Sequence, residues 1–572
     1  MMKRKAGAVI ARLGMICLTV ICFKNVKAQQ ISDHFFGVNA WMPDTIGDVN
    51  NCPDPPCIRY GKLHKNWTNI KNSGATSVRY GGISPDKNIP TKYQYLRMVD
   101  SIRSRGMEPI IQVPFYNYRY TAQQAADIVQ YLNVTKGRNV KYWIIGNEPN
   151  LIYSYTTAGQ IAVYFKAFAS AMKSVDPSIL IVGPETASFK QTITNGLTAP
   201  GGPDDITGKD AAGRYYLDVF SFHTYPLGAG GQTRSDVITN LTASGNLQDD
   251  LMYLKARLDA ASTYHNRTGA SALKMAITEA NINYKNNSTD DVYGLCTNSF
   301  VGGQFVAELY GVGMKCGVDF INLWSVIEGN SNIENCGYID QFTGNKKPIY
   351  YHFQMMAENF SGNSINCTSS QSDVKSFASQ DGNKLSVMIM NESMTNNHSY
   401  TLRLNTNAIG GNGSLKINVN AGINADFTDV LPSQSSVVLI FNTAGTIIKK
   451  CEYSLVNAVA NQPPVCTDYI STGIAFNQGF DDNAKLDLTI FPNPSSGMFN
   501  IGLNNKYSTE RKFNIEIINI LGQKVYGSTT TFVNGKEEVD LSTNLAQGTY
   551  IIRVRQEDKD DNCVIKKIMV QK

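Results

Sequence analysis

Between about residues 31 and 360 the chain alternates short, β-rich apolar runs with longer stretches whose apolar residues recur every three or four positions. Eight runs of the first kind occur: His34 to Trp41, Ala75 to Gly81, Glu108 to Phe115, Val140 to Gly146, Ile179 to Pro184, Leu217 to His223, Met275 to Glu279 and Val318 to Trp324. The intervening segments Tyr93 to Arg105, Thr121 to Leu132, Thr157 to Lys173 and Leu247 to Tyr264 carry the helical period, the first of them ending at Gly106. Strands alternating with helices predict parallel pairing, and eight such units in about 330 residues predict a closed (β/α)8 TIM barrel. From about Ser364 to Asn442 the period becomes two, as in Lys384-Leu-Ser-Val-Met-Ile-Met390 and Ser435-Ser-Val-Val-Leu-Ile-Phe441, the pattern of an antiparallel β-sandwich. Polar residues and Asn461-Gln-Pro-Pro then predict a linker, and alternation resumes near 486 in a third, Ig-like β-sandwich. The expected organisation is a signal at 1–28, a barrel at 29–360, a β-sandwich at 361–442, a linker at 443–485 and a C-terminal domain at 486–572.

Length and composition agree with a multi-domain globular chain. Its 572 residues, 42% hydrophobic and 17% charged, exclude a disordered chain, a collagen and a multi-span membrane protein. The formal charge of +5 raises the question of an anionic partner, and its location answers it. Lys3, Arg4, Lys5 and Arg12 precede the apolar run Leu13 to Phe23, and Val26-Lys27-Ala28 presents small residues at the positions a signal peptidase reads. The run is too short to span a bilayer, so no stable membrane span is expected. A lipid anchor at Cys22 is disfavoured by the bulky Val20-Ile21 before it. Cleavage after Ala28 removes six basic residues (Lys24 and Lys27 complete the set) and no acidic one, which takes +5 to −1. A nucleic-acid partner is therefore not expected. The nine cysteines that remain suit an exported chain with a few disulfides; Cys52 and Cys57 bracket a turn, Cys296, Cys316 and Cys336 cluster, and Cys451 and Cys466 bracket the expected linker.

In a (β/α)8 barrel the reactive residues stand at the carboxyl ends of the strands. Strand four reads Tyr142-Trp-Ile-Ile-Gly-Asn-Glu-Pro-Asn150 and strand seven Met275-Ala-Ile-Thr-Glu-Ala-Asn281, so Glu148 and Glu279 both stand just past an apolar core. A carboxylate there loses hydration, a cost expected only where it binds or reacts. Their separation of 131 residues is three strand-helix units of about 44 residues each, which sets them facing each other across the barrel mouth. Two opposed carboxyl groups are what glycosidic hydrolysis needs. No HxH or HExxH occurs among the six histidines, no GxSxG elbow is present, and the Gly202 to Lys209 stretch lacks P-loop spacing. Neither a metal nor another cofactor is expected.

Asn147-Glu148-Pro149 after strand four and Glu279 after strand seven resemble the clan A retaining glycoside hydrolases. The resemblance covers about 31 to 442 and implies Glu148 as acid/base and Glu279 as nucleophile. It further implies that Asn147 binds the sugar 2-hydroxyl, that Arg79 keeps the nucleophile ionised, that Tyr225 hydrogen-bonds Glu279, that His223 lines the site and that Trp324 is the sugar platform. Trp41, Tyr116, Asn117, Asn281 and Tyr284 lie just past strand ends and are further candidates for substrate contact. The substrate expected is a plant, algal or microbial polysaccharide or oligosaccharide, with glucanase, mannanase, xylanase, xylosidase and arabinofuranosidase chemistry all open. A catalytically inactive carbohydrate-binding or adhesive surface protein on the same fold is the alternative. Farther on, Phe491-Pro-Asn-Pro-Ser-Ser-Gly497, Ile520-Leu-Gly-Gln-Lys-Val-Tyr526, Leu545-Ala-Gln-Gly-Thr-Tyr-Ile551 and Lys566-Lys-Ile-Met-Val570 resemble the type A C-terminal sorting domain of the type IX secretion system. That resemblance implies the type IX machinery as a partner and a secreted or cell-surface location.

Overall fold

The computed structural model describes residues 29–44, 63–115, 119–328, 333–405, 415–469, 488–491, 495–503, 512–519, 523–531, 536–540, 545–556 and 563–571. The expected signal, Cys52, Cys57, Tyr116 and Asn117 lie outside the described residues. The chain divides into two compact units, 1–469 and 470–572.

Eight parallel strands close into a barrel in sequence order. They are β1 (Phe36–Ala40), β2 (Ser77–Tyr80), β3 (Glu108–Val113), β4 (Tyr142–Ile145), β5 (Leu180–Thr186), β6 (Val219–Thr224), β7 (Lys274–Ala280) and β8 (Phe320–Leu323). Each falls on one of the eight apolar runs. Side chains alternate across a strand, so every run feeds two cores. Trp143, Ile145, Ile181, Phe220 and Ile277 point outward into the large core shared with the helices. Ile110, Tyr142, Ile144, Val182, Val219, Ala276 and Phe320 fill the barrel itself. One step nearer the carboxyl ends the inward positions turn polar, with Asn39, Arg79, Gln112, Ser221, His223 and Thr278 all fully buried. The surrounding helices start where their sequences cap them. Thr91, Thr121 and Thr157 each accept from the backbone N–H three residues on while Gln94, Gln124 and Gln160 reach back, a reciprocal pairing that satisfies two free donors at each start.

The following sandwich pairs a seven-stranded sheet with a four-stranded one around its own apolar core. The expected linker is corrected here. Ile447–Ser454 and Val465–Asp468 are strands that extend the seven-stranded sheet, and Cys451 and Cys466 sit opposite each other in its ladder, joined by a disulfide. Lys450 makes ion pairs with Asp429 and Glu452, so polar residues in this stretch decorate the outward face of a paired strand rather than a flexible tether. Cys296, Cys316, Cys336 and Cys367 are buried, unpaired thiols. Among the described residues no helix is long and apolar enough to cross a membrane. The second unit has a three-stranded and a four-stranded sheet around Phe499, Ile501, Phe513, Ile515, Ile552 and Ile568.

Helix Phe300–Cys316 joins barrel to sandwich, and Gly311 is glycine because any Cβ there would run into the Phe377 ring of the facing sheet. On the same helix Glu308 meets Lys375 at 3.3 Å. Beyond it Glu392 is fully buried, and both of its carboxyl oxygens, like Glu308 Oε2, have no hydrogen-bond partner. Burial lifts Glu308 to about 7 against the charge of Lys375, and raises Glu392 further with help from Glu308. Carboxyls held protonated in the fold stabilise it fully below about pH 4.5, and that stabilisation is lost as pH rises through about 7. Glu308→Gln removes the ionisation, so the variant is expected to outlast the native chain at pH 8, by about 3 kcal/mol if the whole effect is recovered. At pH 4 the two should coincide in urea melts.

Candidate active site

Arg79, inward on β2, is the hub. Its Nη1 donates to Asn39 Oδ1 and to Glu279 Oε1, both at 2.9 Å; its Nη2 donates to Gln112 Oε1 at 3.1 Å, Asn147 Oδ1 at 2.9 Å and Glu185 Oε2 at 2.8 Å. One guanidinium thus ties β1, β2, β3, β5, β7 and the loop after β4. Burial works against its charge, and the carboxylates of Glu185 and Glu279 more than offset that, so it remains a cation.

Glu185 is the residue that sequence reasoning missed. It stands at a β-bulge: Pro184 pairs with Ser221 and Thr186 with Phe222, which leaves Glu185 as the extra residue, at φ 61°. The bulge turns its side chain into the barrel, where it is fully buried. Oε1 accepts from the hydroxyls of Ser221 and Thr278, the latter at 2.6 Å, and Oε2 accepts from Arg79 and from His223 Nε2 at 3.2 Å. Burial raises its proton affinity, but the charge of Arg79 and the bond from His223 overcome this and hold the carboxyl at about 2. The signal was available in the sequence, since Glu185 stands at the end of the apolar run Ile179 to Pro184 as Glu148 and Glu279 stand at the ends of theirs. A second bulge, at Thr278, lets Thr278 and Glu279 both reach the interior although they are adjacent in the chain.

Glu148 and Glu279 come together as expected. One carboxylate oxygen of each and a nitrogen of His223 lie within 4.8 Å of one another. Glu148 has φ 44°, a left-handed conformation rare outside glycine, and its N–H donates to the Glu185 carbonyl at 2.9 Å. Its Oε1 lies 2.9 Å from His223 Nδ1, which is also 3.4 Å from Glu279 Oε2. The Tyr225 hydroxyl donates to Glu279 Oε2 at 3.0 Å. Burial raises Glu279, the charges of His223 and Arg79 oppose this, and Glu148 adds to it, leaving the group above the ordinary carboxylate range. Burial disfavours charge on His223 too, but Glu279 and the bonds to Glu148 and Glu185 outweigh it and lift the imidazole to about 10. At neutral pH His223 is therefore a cation that donates from both nitrogens. Glu148, His223 and Glu279 are the cluster among the described residues with the donor types of a metal centre.

Trp324 leans over Gly82, where a Cβ would stand 2.7 Å from the ring and 3.8 Å from Glu279 Oε1; with φ 106° and this neighbour, the position admits only glycine. The indole also donates to Glu328, a half-buried carboxyl that burial lifts to about 8. Nothing in the sequence marked Glu328, because it lies in the loop past β8 and not at a strand end.

Two of the expected site residues, Arg79 and His223, do not reach the substrate space, and Asn281, a candidate for substrate contact, is corrected. Arg79 and His223 have no exposed surface; both Nη atoms of Arg79 and both ring nitrogens of His223 meet protein partners, while Arg79 Nε is buried without one. Asn281 is also fully buried; its Nδ2 donates to the Trp324 carbonyl at 2.5 Å and to that of Cys336 at 3.2 Å, so it braces the Trp324 segment from beneath. Trp41 is half-buried and ties its Nε1 to the Ile327 carbonyl at 3.1 Å. Tyr284 is exposed with its ring against the edge of Tyr225. Asn147 is buried with its Oδ1 fixed on Arg79.

Residues 489–571 match the family described as "Secretion system C-terminal sorting domain". The chain carries a secretion sorting domain. No curated protein matches the chain. Among solved structures it is similar to a family 44 glycoside hydrolase, the xyloglucanase of Paenibacillus polymyxa, at 14% identity and TM-score 0.48 over 73% of this chain and 97% of that one. It is similar also to the family 30 subfamily 8 xylanase Xyn30A of Clostridium acetobutylicum, at 16% identity and TM-score 0.46 over 73% and 98%. A bacterial orthologue of human α-L-iduronidase aligns at 11% identity and TM-score 0.47 over 94% and 97%. At identities this low, residue roles follow from this chain's own geometry.

Arg79→Met keeps the volume and removes the charge, leaving Glu185 and Glu279 buried without their cation. The expected loss is about 3–5 kcal/mol of stability for the barrel-containing unit, read by urea melts at pH 7. A loss under about 1 kcal/mol would mean that the ion pairs do not hold the site.

Proposed function

We propose that the barrel is a retaining glycoside hydrolase acting on polysaccharide or oligosaccharide, exported through the type IX system and released or held at the cell surface. The observation that carries this reading is the approach of the Glu148 and Glu279 carboxylates to within 4.8 Å at the barrel mouth. Retention uses carboxyl groups about 5–5.5 Å apart, whereas inversion needs about 6.5–9.5 Å to admit a water between them.

Glu279 is the nucleophile. Arg79 and Tyr225 hold its two oxygens from opposite sides, which fixes the direction of its lone pairs. Glu148 is the acid/base, and its side chain is 15% exposed against 6% for Glu279, as suits the group that must meet both a leaving oxygen and a water. In the first step a Glu279 oxygen bonds to the anomeric carbon, the glycosidic bond breaks, and the proton of Glu148 goes to the departing oxygen. In the second, Glu148 takes a proton from water, the water oxygen bonds to the anomeric carbon, and the glycosyl–Glu279 bond breaks. With its Oδ1 fixed on Arg79, Asn147 has its amide N–H donors left for the sugar 2-hydroxyl, a bond that strengthens as positive charge grows at the neighbouring carbon. Trp324 offers an apolar face beside Glu279 on which a pyranose can stack.

A panel of β-glucans, mannans, xylans and arabinans tests the activity by the appearance of new reducing ends; binding with none would leave the inactive sugar-binding alternative. On an active substrate, NMR should find the first-formed product with the anomeric configuration of the starting bond, and the opposite anomer would overturn retention. Glu279→Gln should abolish turnover with the fold intact, and Glu148→Gln should lower it by about 10²–10⁴-fold. Because burial raises Glu279 and the nucleophile must be ionised, activity should fall on acidification at a pH above 4.5, the ordinary carboxyl value. An acid limb below about pH 4 in kcat/KM would contradict the assignment.

A further inference from the structure

The site contains more charge than the two reacting carboxyls need. Arg79 and His223 are two buried cations, and Glu148, Glu185 and Glu279 are three carboxyl groups arranged around them. Glu185 is the deepest of the three. It has no exposed surface, lies beneath the reacting pair, and all four of its hydrogen bonds come from protein donors on three different strands: Arg79 on β2, Ser221 and His223 on β6, and Thr278 on β7. A group so enclosed cannot touch substrate. It does touch both cations, through the same oxygen.

We propose that Glu185 is the positioning residue of this site: its fixed negative charge keeps His223 charged, takes a share of the Arg79 cation, and so sets how many protons Glu148 and Glu279 share. With Glu185 ionised, the two cations have one compensating charge already. One further carboxylate from the reacting pair balances the site, and the remaining carboxyl keeps its proton. That is the state from which double displacement starts, one carboxyl as acid and one as nucleophile. The catalytic half of this inference rests on the glycoside hydrolase reading; the charge on His223 does not.

The sign of the effect follows from charge alone. The groups facing the cluster are Arg79 from β2, Glu148 after β4, His223 from β6, Tyr225 after β6 and Glu279 from β7. Asp86 acts on it through Arg79, and Glu328 through Glu279. Glu185→Gln removes one negative charge and nothing else of size, so proton affinities throughout the cluster fall. His223 loses its proton at lower pH, and Glu279, now with a larger share of Arg79, ionises at lower pH. A residue that only supported the fold would lower the rate without moving either pH limit.

The test is the titration of His223, followed by NMR of the full chain carrying 13C-labelled histidine. There are six histidines, and His223→Asn assigns the signal. In the native chain His223 should stay protonated to about pH 10; titration near the ordinary value of about 6.5 would overturn the proposal even if no variant folds. In Glu185→Gln the midpoint should fall by about 1–3 pH units, and an unchanged or higher midpoint would overturn it. Glu185→Asp, which retains the charge, should restore the native midpoint. If the chain cleaves glycans, both limbs of the kcat/KM profile should move to lower pH in Glu185→Gln and return in Glu185→Asp; lower rates with unmoved limbs would reduce Glu185 to a structural part. A native chain that cleaves none of the glycans tested, while His223 holds its proton, would overturn the hydrolase reading and support the Glu185 assignment.

Discussion

The contact on which the rest depends is the buried pair between Arg79 and Glu185, 2.8 Å apart with neither side chain exposed. Each ion loses several kcal/mol of hydration on burial, and the attraction between them repays this only when the remaining donors and acceptors are also matched. That requirement accounts for the neighbours. Asn39, Gln112 and Asn147 accept from Arg79; Ser221, Thr278 and His223 donate to Glu185. None of these choices serves an apolar barrel core, and together they convert the upper interior into one hydrogen-bonded layer on top of the apolar plug formed by Ile110, Ile144, Val182 and Phe320. The layer also explains why Glu148 and Glu279 can stand so close. The positive charges that make their proximity tolerable are held in place from below.

Backbone irregularity recurs at the same level. Glu148 and Glu185 both have positive φ, a conformation that costs a non-glycine residue about 1–2 kcal/mol, and they are joined by a backbone hydrogen bond. Regular strands would send consecutive side chains to opposite faces. The bulges at Glu185 and Thr278 break that rule at the two points where an extra inward side chain is needed. The strain is offset by the ionic contacts it makes possible.

What the sequence disclosed follows from which signals are local. The eight strands were legible because apolar runs and helical periods are properties of contiguous residues, and Glu148 and Glu279 because each interrupts such a run at its end. Glu185 obeys the same rule, but the expected strand stopped at Pro184, and a bulge cannot be seen in a pattern of alternation. Burial was the other blind spot. Arg79, His223 and Asn281 carry groups that could bind a sugar, and only the closed barrel reveals that those groups are already used. The expected linker misled because Lys449, Lys450 and Glu452 belong to the strand next to the sheet edge, and that strand is polar on its outward face. Its partner strand is fixed by a cysteine pair that sequence spacing alone does not assign.

The sandwich has a part in the site although none of its residues reaches it. The two-residue strand Gln29–Gln30 pairs with Asn363–Ser364, so the chain enters and leaves the barrel through the same sheet. Helix Phe300–Cys316, which connects β7 to β8, is clamped between the barrel and Phe377 of that sheet. The segments flanking this helix carry Glu279 and Asn281 on one side and Trp324 and Glu328 on the other. Tyr310, in the middle of the helix, donates to the carbonyls of Gly37 in β1 and Ile321 in β8, which pins the helix across the seam where the barrel closes. A shift of the helix would be passed to both segments at once, changing the distance between nucleophile and indole. Holding a helix from both faces suppresses that movement, because Gly311, which lets it approach the Phe377 ring, leaves no slack for it to slide. The sandwich is thereby a brace for the β7–β8 side of the mouth, on which the nucleophile stands.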